Sequence, residues 1–222
     1  MHLILGNFIQ LTIFLISISI YFRRPVPKYL KYFPVYFFLL IIIDLILNYT
    51  SDHGIHNNIL TNTYSIAEFS FYYFVLRELI TDVKLKKAIL YTTIIYAVFA
   101  LINIFLIQGY DRFNPINFTT GVVITVIFCI YYFFELFQKT ETQSLTRVTG
   151  FWIVSAILIS NVLTFPIFAL LSFMNDLTKS NLKTSRIIFE NIDAIFNIIS
   201  ILTYILYSIG FLSRIRITMS GI

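Results

Sequence analysis

Residues 1–24 read MHLILGNFIQLTIFLISISIYFRR. An apolar run of about 20 residues, the length of a helix that crosses the hydrocarbon of a bilayer, stops at an arginine pair. No Lys or Arg precedes the run. The run exceeds a secretory h-region, and no small-residue cleavage site follows it. The stretch is therefore expected to remain in the chain as a first membrane span.

The same texture continues outward from this run. The 222 residues are 58% hydrophobic and 12% charged. Soluble domains carry about a quarter charged residues, so a soluble fold is excluded. Successive apolar runs predict an all-α integral membrane protein, a bundle of seven transmembrane helices forming a single domain over 1–222. The spans are expected at about 3–22, 30–49, 58–80, 86–108, 117–138, 149–173 and 187–211. A strand alternation suited to a barrel is missing, which leaves helices as the way for the backbone to satisfy itself in lipid.

Every Lys and Arg falls at or beyond a span end. Arg23, Arg24, Lys28, Lys31, Arg77, Lys84, Lys86, Lys87, Lys139, Arg147, Arg214 and Arg216 gather on one side, and Arg112, Lys179, Lys183 and Arg186 on the other. Cytoplasmic loops carry the basic excess, so the amino terminus is expected outside and the carboxyl terminus in the cytoplasm, in a multi-pass protein of the cell membrane. The net charge of +5 then reports topology. No loop offers a basic face with interleaved stacking aromatics, and nucleic acid is not expected as a partner. Tyr21, Phe22, Tyr29, Tyr32 and Trp152 sit at span ends. They read as interface anchors, and the other aromatics are expected to fill the bundle or face lipid. Cys129 lies in an apolar run and reads as a buried thiol.

Polar residues inside spans are the informative minority, because they are costly there and turn towards the bundle interior or a cavity. The second span carries Asp44 and Asn48 one turn apart. The third carries Thr61, Ser65, Glu68 and Tyr72 on one face. Asn161 and Thr164 precede Pro166 in the sixth. The seventh, within SRIIFENIDAIFNIIS at 185–200, places Glu190, Asp193 and Asn197 at i, i+3 and i+7, and Ser200, Tyr204 and Ser208 prolong the seam. In the expected topology nearly all the acids and amides occupy the outer half. This asymmetry predicts an externally open, acid-lined pocket of Asp44, Glu68, Asp193, Asn197, Glu190, Ser65 and Asn161. Its carboxylates cannot all stay ionised without a cation. Interhelical hydrogen bonding, worth about 0.6 kcal/mol per contact on average, is the competing account. It is preferred for Asn7, Gln10, Asn48, Asn103 and Thr164. Glu190, near the water, also suits a solvated helix start.

Several chemistries are absent. TSDHGIHNN at 50–58 holds His53 and His56 in a short loop. That is a poor frame for zinc, and no metal or other cofactor is expected. The seventh span has no His pair of the kind used by seven-helix zinc hydrolases and no Lys for a retinal Schiff base. No Walker loop, dinucleotide glycine pattern or catalytic-triad order is present, and an enzyme is not expected. Helices one to three and five to seven, joined by the fourth, resemble the three-plus-one-plus-three plan of sugar-efflux and PQ-loop proteins. That family's Pro-Gln pair is absent from helices one and five.

The expected function is a receptor or sensor-like module that binds a small polar or cationic ligand. The loops and the tail after the last span are too short to fold alone, so it would signal through a membrane partner with a cytoplasmic domain. A small solute transporter or cation-coupled permease is the alternative, with a lipid-modifying membrane enzyme behind it.

Overall fold

The structure, a computed structural model, describes residues 2–22, 25–139, 145–177 and 182–219, with side chains described over 8–22, 25–138, 145–169 and 194–213 and at Ile192. Helix α1 (His2–Ile18) runs into a 3-10 turn (Ser19–Phe22). The single turn α2 (Lys28–Lys31) bends at Tyr32 into α3 (Phe33–Asp52). Then follow α4 (Asn58–Leu79), α5 (Val83–Ile102) with a π turn at its end (Asn103–Ile107), α6 (Pro115–Lys139), α7 (Thr149–Leu177) and α8 (Leu182–Met219). No strand occurs among the described residues.

Among the described residues, five helical segments are long and apolar enough to cross a membrane: Lys28–Asp52, Val83–Ile107, Pro115–Gln138, Thr149–Ala169 and Ala194–Ser213. The chain is thus an all-helical protein of membrane type. The apolar part of α1, Phe8–Phe22, is shorter. Helix α4, at 22 residues, has the length but carries more polar groups.

Local chemistry sets the helix ends. Pro34 sits in the first turn of α3, where its missing N–H costs no intrahelical bond. Asp82 caps α5 through its side chain. Its Oδ1 accepts from the Lys84 N–H at 2.7 Å and the Leu85 N–H at 3.4 Å. Those backbone donors, Lys84 first, hold its carboxyl below the usual carboxylate range. The turn after α3 needs a left-handed residue, which a glycine adopts without steric cost. Gly54 supplies it, with φ 66°.

Helix α4 is the hub. It packs on α5 and α6 along most of its length and touches α2, α3 and α7. Beyond α6 the bundle continues through α7, α8 and α1 to α3, which returns to α4 along a narrow seam only. Its central place explains the composition of α4. A helix wrapped by protein need not follow a single apolar stripe. Asn62, Ser65, Phe69, Tyr72 and Tyr73 are all buried. The α4–α6 approach is close: a Cβ on Gly121 would strike the Phe69 ring, and Tyr73 Oη donates to the Gly121 carbonyl at 3.0 Å. Helix α5 turns the opposite way. Leu90, Ile94, Val98, Leu101 and Phe105 form an exposed apolar stripe on its far side.

Contacts at the helix ends alternate. At one end the Thr81 N–H donates to the Glu135 carboxylate at 3.0 Å, and Trp152 Nε1 donates to the Thr146 carbonyl at 2.8 Å. At the other, Asn62 Nδ2 donates to the Arg112 carbonyl at 2.8 Å, and its Oδ1 accepts from the Asn114 N–H at 3.0 Å. Helices α4, α5 and α6 therefore run up, down and up.

Candidate functional site

Where α3 and α4 part, they leave a cavity of about 340 Å³. Each helix gives it one stripe, from residues three or four apart. Helix α3 contributes Val35, Tyr36, Leu39 and Ile43 below Tyr32, and α4 contributes Tyr64, Ala67, Glu68, Phe71 and Phe74. The walls are almost wholly carbon, and Glu68 is the one carboxylate among them.

Glu68 is held rather than merely present. Tyr72 Oη donates to its Oε1 at 2.7 Å and Tyr36 Oη donates to the same oxygen at 3.1 Å. The two hydroxyls are themselves 3.1 Å apart. Tyr72 stands one turn after Glu68 on α4, whereas Tyr36 reaches across from α3. The Phe71 ring stacks on Tyr36, with centroids 4.4 Å apart and an interplanar angle of 6°. Such a stacked pair fixes the angle of that reach. Both tyrosine bonds end on Oε1, so Oε2 is the carboxylate's open acceptor. Tyr64 Oη is buried beside Glu68 and Tyr36 and makes no hydrogen bond of normal geometry.

A second acid stands nearby. Gln10 of α1 donates through Nε2 to Asp44 Oδ2 on α3, while Gln10 Oε1 is buried without a partner. Tyr204 of α8 lies beside this pair, and Asp44 and Glu68 are electrostatic neighbours. Neither acid has a basic partner: among the described residues the only ion pair joins Arg77 to Glu78 at 3.4 Å. Four helices thus converge on a small polar group inside an aromatic lining, and a cation or a hydrogen-bond donor is the chemistry it lacks.

The other expected pocket residues are dispersed. Ser65 is buried and donates to the Asn62 carbonyl at 2.8 Å. Asn161 is buried on α7 and donates within its own helix to the Ile157 carbonyl at 2.8 Å. Asn197 is half-buried on α8. Glu190 and Asp193 also fall on α8, but their side chains lie outside the described residues. Asp44 and Glu68 are the two that come together.

Three tyrosines complete the site: Tyr72, which the sequence already placed on the Glu68 face, and Tyr36 and Tyr64, which it left among the bundle-filling aromatics. Tyr64, Glu68 and Tyr72 are spaced one turn apart, so the signal was present on α4. Tyr36 carries none, since only the fold brings α3 across. The amides elsewhere serve as stitching: Asn103 Nδ2 donates to Asn117 Oδ1 and Gln108 Oε1, both at 2.8 Å, and Asn117 Nδ2 donates to the Ala100 carbonyl at 3.1 Å. Neither a protein-family model, nor a curated protein, nor a solved structure matches the chain.

Proposed function

We propose that the chain is a seven-span membrane receptor or sensor-like module that binds a small ligand at Glu68 and signals through a partner. The ligand presents a positive charge or a hydrogen-bond donor on an otherwise apolar body. The observation that carries this reading is a single carboxylate, oriented by two tyrosines and without a basic partner, in an otherwise carbon-lined cavity. An acid at this depth is expensive unless something uses it.

Connectivity supports the span count. Helix α4 joins the end of α3 to the start of α5, both apolar enough to cross, and lies along α5 and α6, which argues for a return crossing. At a rise of about 1.5 Å per residue, its length suffices. Helix α1 packs on α3 and α8 and adds a further span. The basic residues Lys28, Lys31, Arg77, Lys84 and Arg147 share the Thr81–Glu135 end. That excess favours this end as cytoplasmic and the amino terminus as external.

Ligand binding by purified protein tests the site. Glu68→Gln removes the charge at nearly constant shape and should abolish binding of a cationic ligand without unfolding the bundle; undiminished binding would sink the proposal. Crosslinking in native membranes should recover a partner with a cytoplasmic domain. The adjacent acids Asp44 and Glu68 also suit a cation-coupled permease. Flux of a cation into liposomes that Glu68→Gln stops would favour that second reading.

A further inference from the structure

Resting on that ligand-binding reading, we propose that the Glu68 site is loaded sideways from the bilayer and takes a membrane-dissolved amine with a single apolar chain. The mouth of the cleft opens along the flank of α3. Its rims, Val35 and Leu39 on α3, are 53% and 50% exposed, and Ala67 opposite them is exposed as well. The α3 rim lies inside a segment long and apolar enough to cross a membrane. Next to it Phe38, Ile42, Leu45 and Ile46 continue the exposed apolar surface. The opening therefore runs along the side of the bundle, from the exposed Tyr32 beside the basic end down past Leu39 at the level of lipid hydrocarbon. A hydrated ion arriving there would have to shed its water in oil, whereas an amine on an apolar chain partitions into the bilayer and can enter as the neutral base, its chain following the carbon wall.

The class of occupant follows from the two surfaces it must satisfy. The carbon walls accept an alkyl or aryl chain. The cleft holds about 340 Å³. Ligand pockets run from about 300 Å³ upward, so this is a small one, and its size favours one chain over a two-chain lipid. The acceptor the cleft offers is Glu68, the one carboxylate in the lining, whose Oε2 takes no bond from Tyr36 or Tyr72. An ammonium group brings three donors and the complementary charge. An alcohol brings one donor and no charge. A fatty acid would set a second carboxyl against Glu68.

The test uses the full chain in lipid nanodiscs, with radiolabelled dodecylamine, dodecanol, dodecanoate and ethylamine as probes and empty nanodiscs correcting for partition. Saturable dodecylamine binding is expected. Glu68→Gln should weaken it at least about tenfold, the scale of one charge-assisted hydrogen bond. Ala67→Trp, which fills the mouth without touching the tyrosine bonds, should weaken it comparably. Leu39→Trp fills it from the opposite wall and serves if Ala67→Trp misfolds. Ethylamine should not bind detectably. If ethylamine binds as tightly as dodecylamine, depends on Glu68 and ignores both tryptophans, the sideways route is wrong while the receptor site stands. Equal binding of dodecanol or dodecanoate overturns the amine. Absence of saturable binding by any probe to folded wild-type protein overturns the inference and the site together.

Discussion

The two flanks of α4 are built by different rules. Towards α5 and α6 the contact is tight, and amides bridge it: Asn62 with the backbone of the 112–114 loop, Asn103 with Asn117 and Gln108, and Asn117 with the Ala100 carbonyl, while the buried Asn114 side chain stays without a partner. Towards α3 the contact is narrow, and both tyrosine bonds to Glu68 end on one of its two carboxylate oxygens. In lipid no hydrophobic force drives helices together, so association rests on close packing and interhelical hydrogen bonds. The bridged amides therefore mark where the protein holds itself, and the cleft, with Glu68 in its wall, is where it has room to hold something else.

This contrast can be broken by substitution. The largest effect is expected at Gly121. Gly121→Val drives a branched side chain into the Phe69 ring. Overpacking of this kind costs about 1–3 kcal/mol or more. Thermal unfolding in detergent should show a large drop, whereas Ala67→Val on the loose flank should show almost none. Equal losses would mean that the two flanks are equally packed.

Asn117→Leu comes next. It strips amide contacts with Asn103 and Ala100 from the tight flank. Leaving buried groups unpaired in this way costs about 1–3 kcal/mol. The unfolding temperature should fall while affinity for a ligand at Glu68 stays within error. Glu68→Gln should do the reverse, keeping the unfolding temperature and losing the ligand. A variant pair that shifts both properties together would show that the division between stitching and site is false.

The smallest effect concerns the cap of α5. The Asp82 carboxyl is held below its usual range by the backbone N–H groups of Lys84 and Leu85. A depressed folded value means that the cap's contribution is complete above the unfolded value near about 3.9. It is lost as pH falls through the lower folded value. A shallow acid-side decline in stability should therefore vanish in Asp82→Asn, which keeps an acceptor but does not titrate in this range. A decline that survives the substitution assigns it to another group.

The helical, membrane-type character was legible because it needs only run length and charge count, and 28–52 or 83–107 could hardly be read otherwise. Glu68 and Asp44 were legible as in-span acids because charge inside an apolar run is conspicuous. Their surroundings were not. Which face of α3 meets which face of α4 depends on how far the helices splay. The bend at Tyr32 and the aromatic packing of Phe33 and Phe37 on Tyr207 and Phe211 hold α3 towards α8. None of these has a sequence period of its own. Tyr36 illustrates the limit: as one tyrosine among 15, it gains a role only when another helix arrives opposite.

The wide turn at Asn103–Ile107 has a consequence for how α5 meets its loop. The Gln108 N–H reaches back five residues to the Asn103 carbonyl at 2.8 Å. A π turn accommodates one residue more than the helix it interrupts, and one residue is worth about 100° of rotation. The segment thus works as a phase adjuster between a lipid-facing rod and a polar hinge. Before it, the helix keeps its oily stripe aligned; after it, Gln108 swings round to face Asn103. Trimming a single residue from Ile104–Ile107 would restore an even pitch and turn that glutamine towards the hydrocarbon, so chain length there is fixed by angle and not by reach.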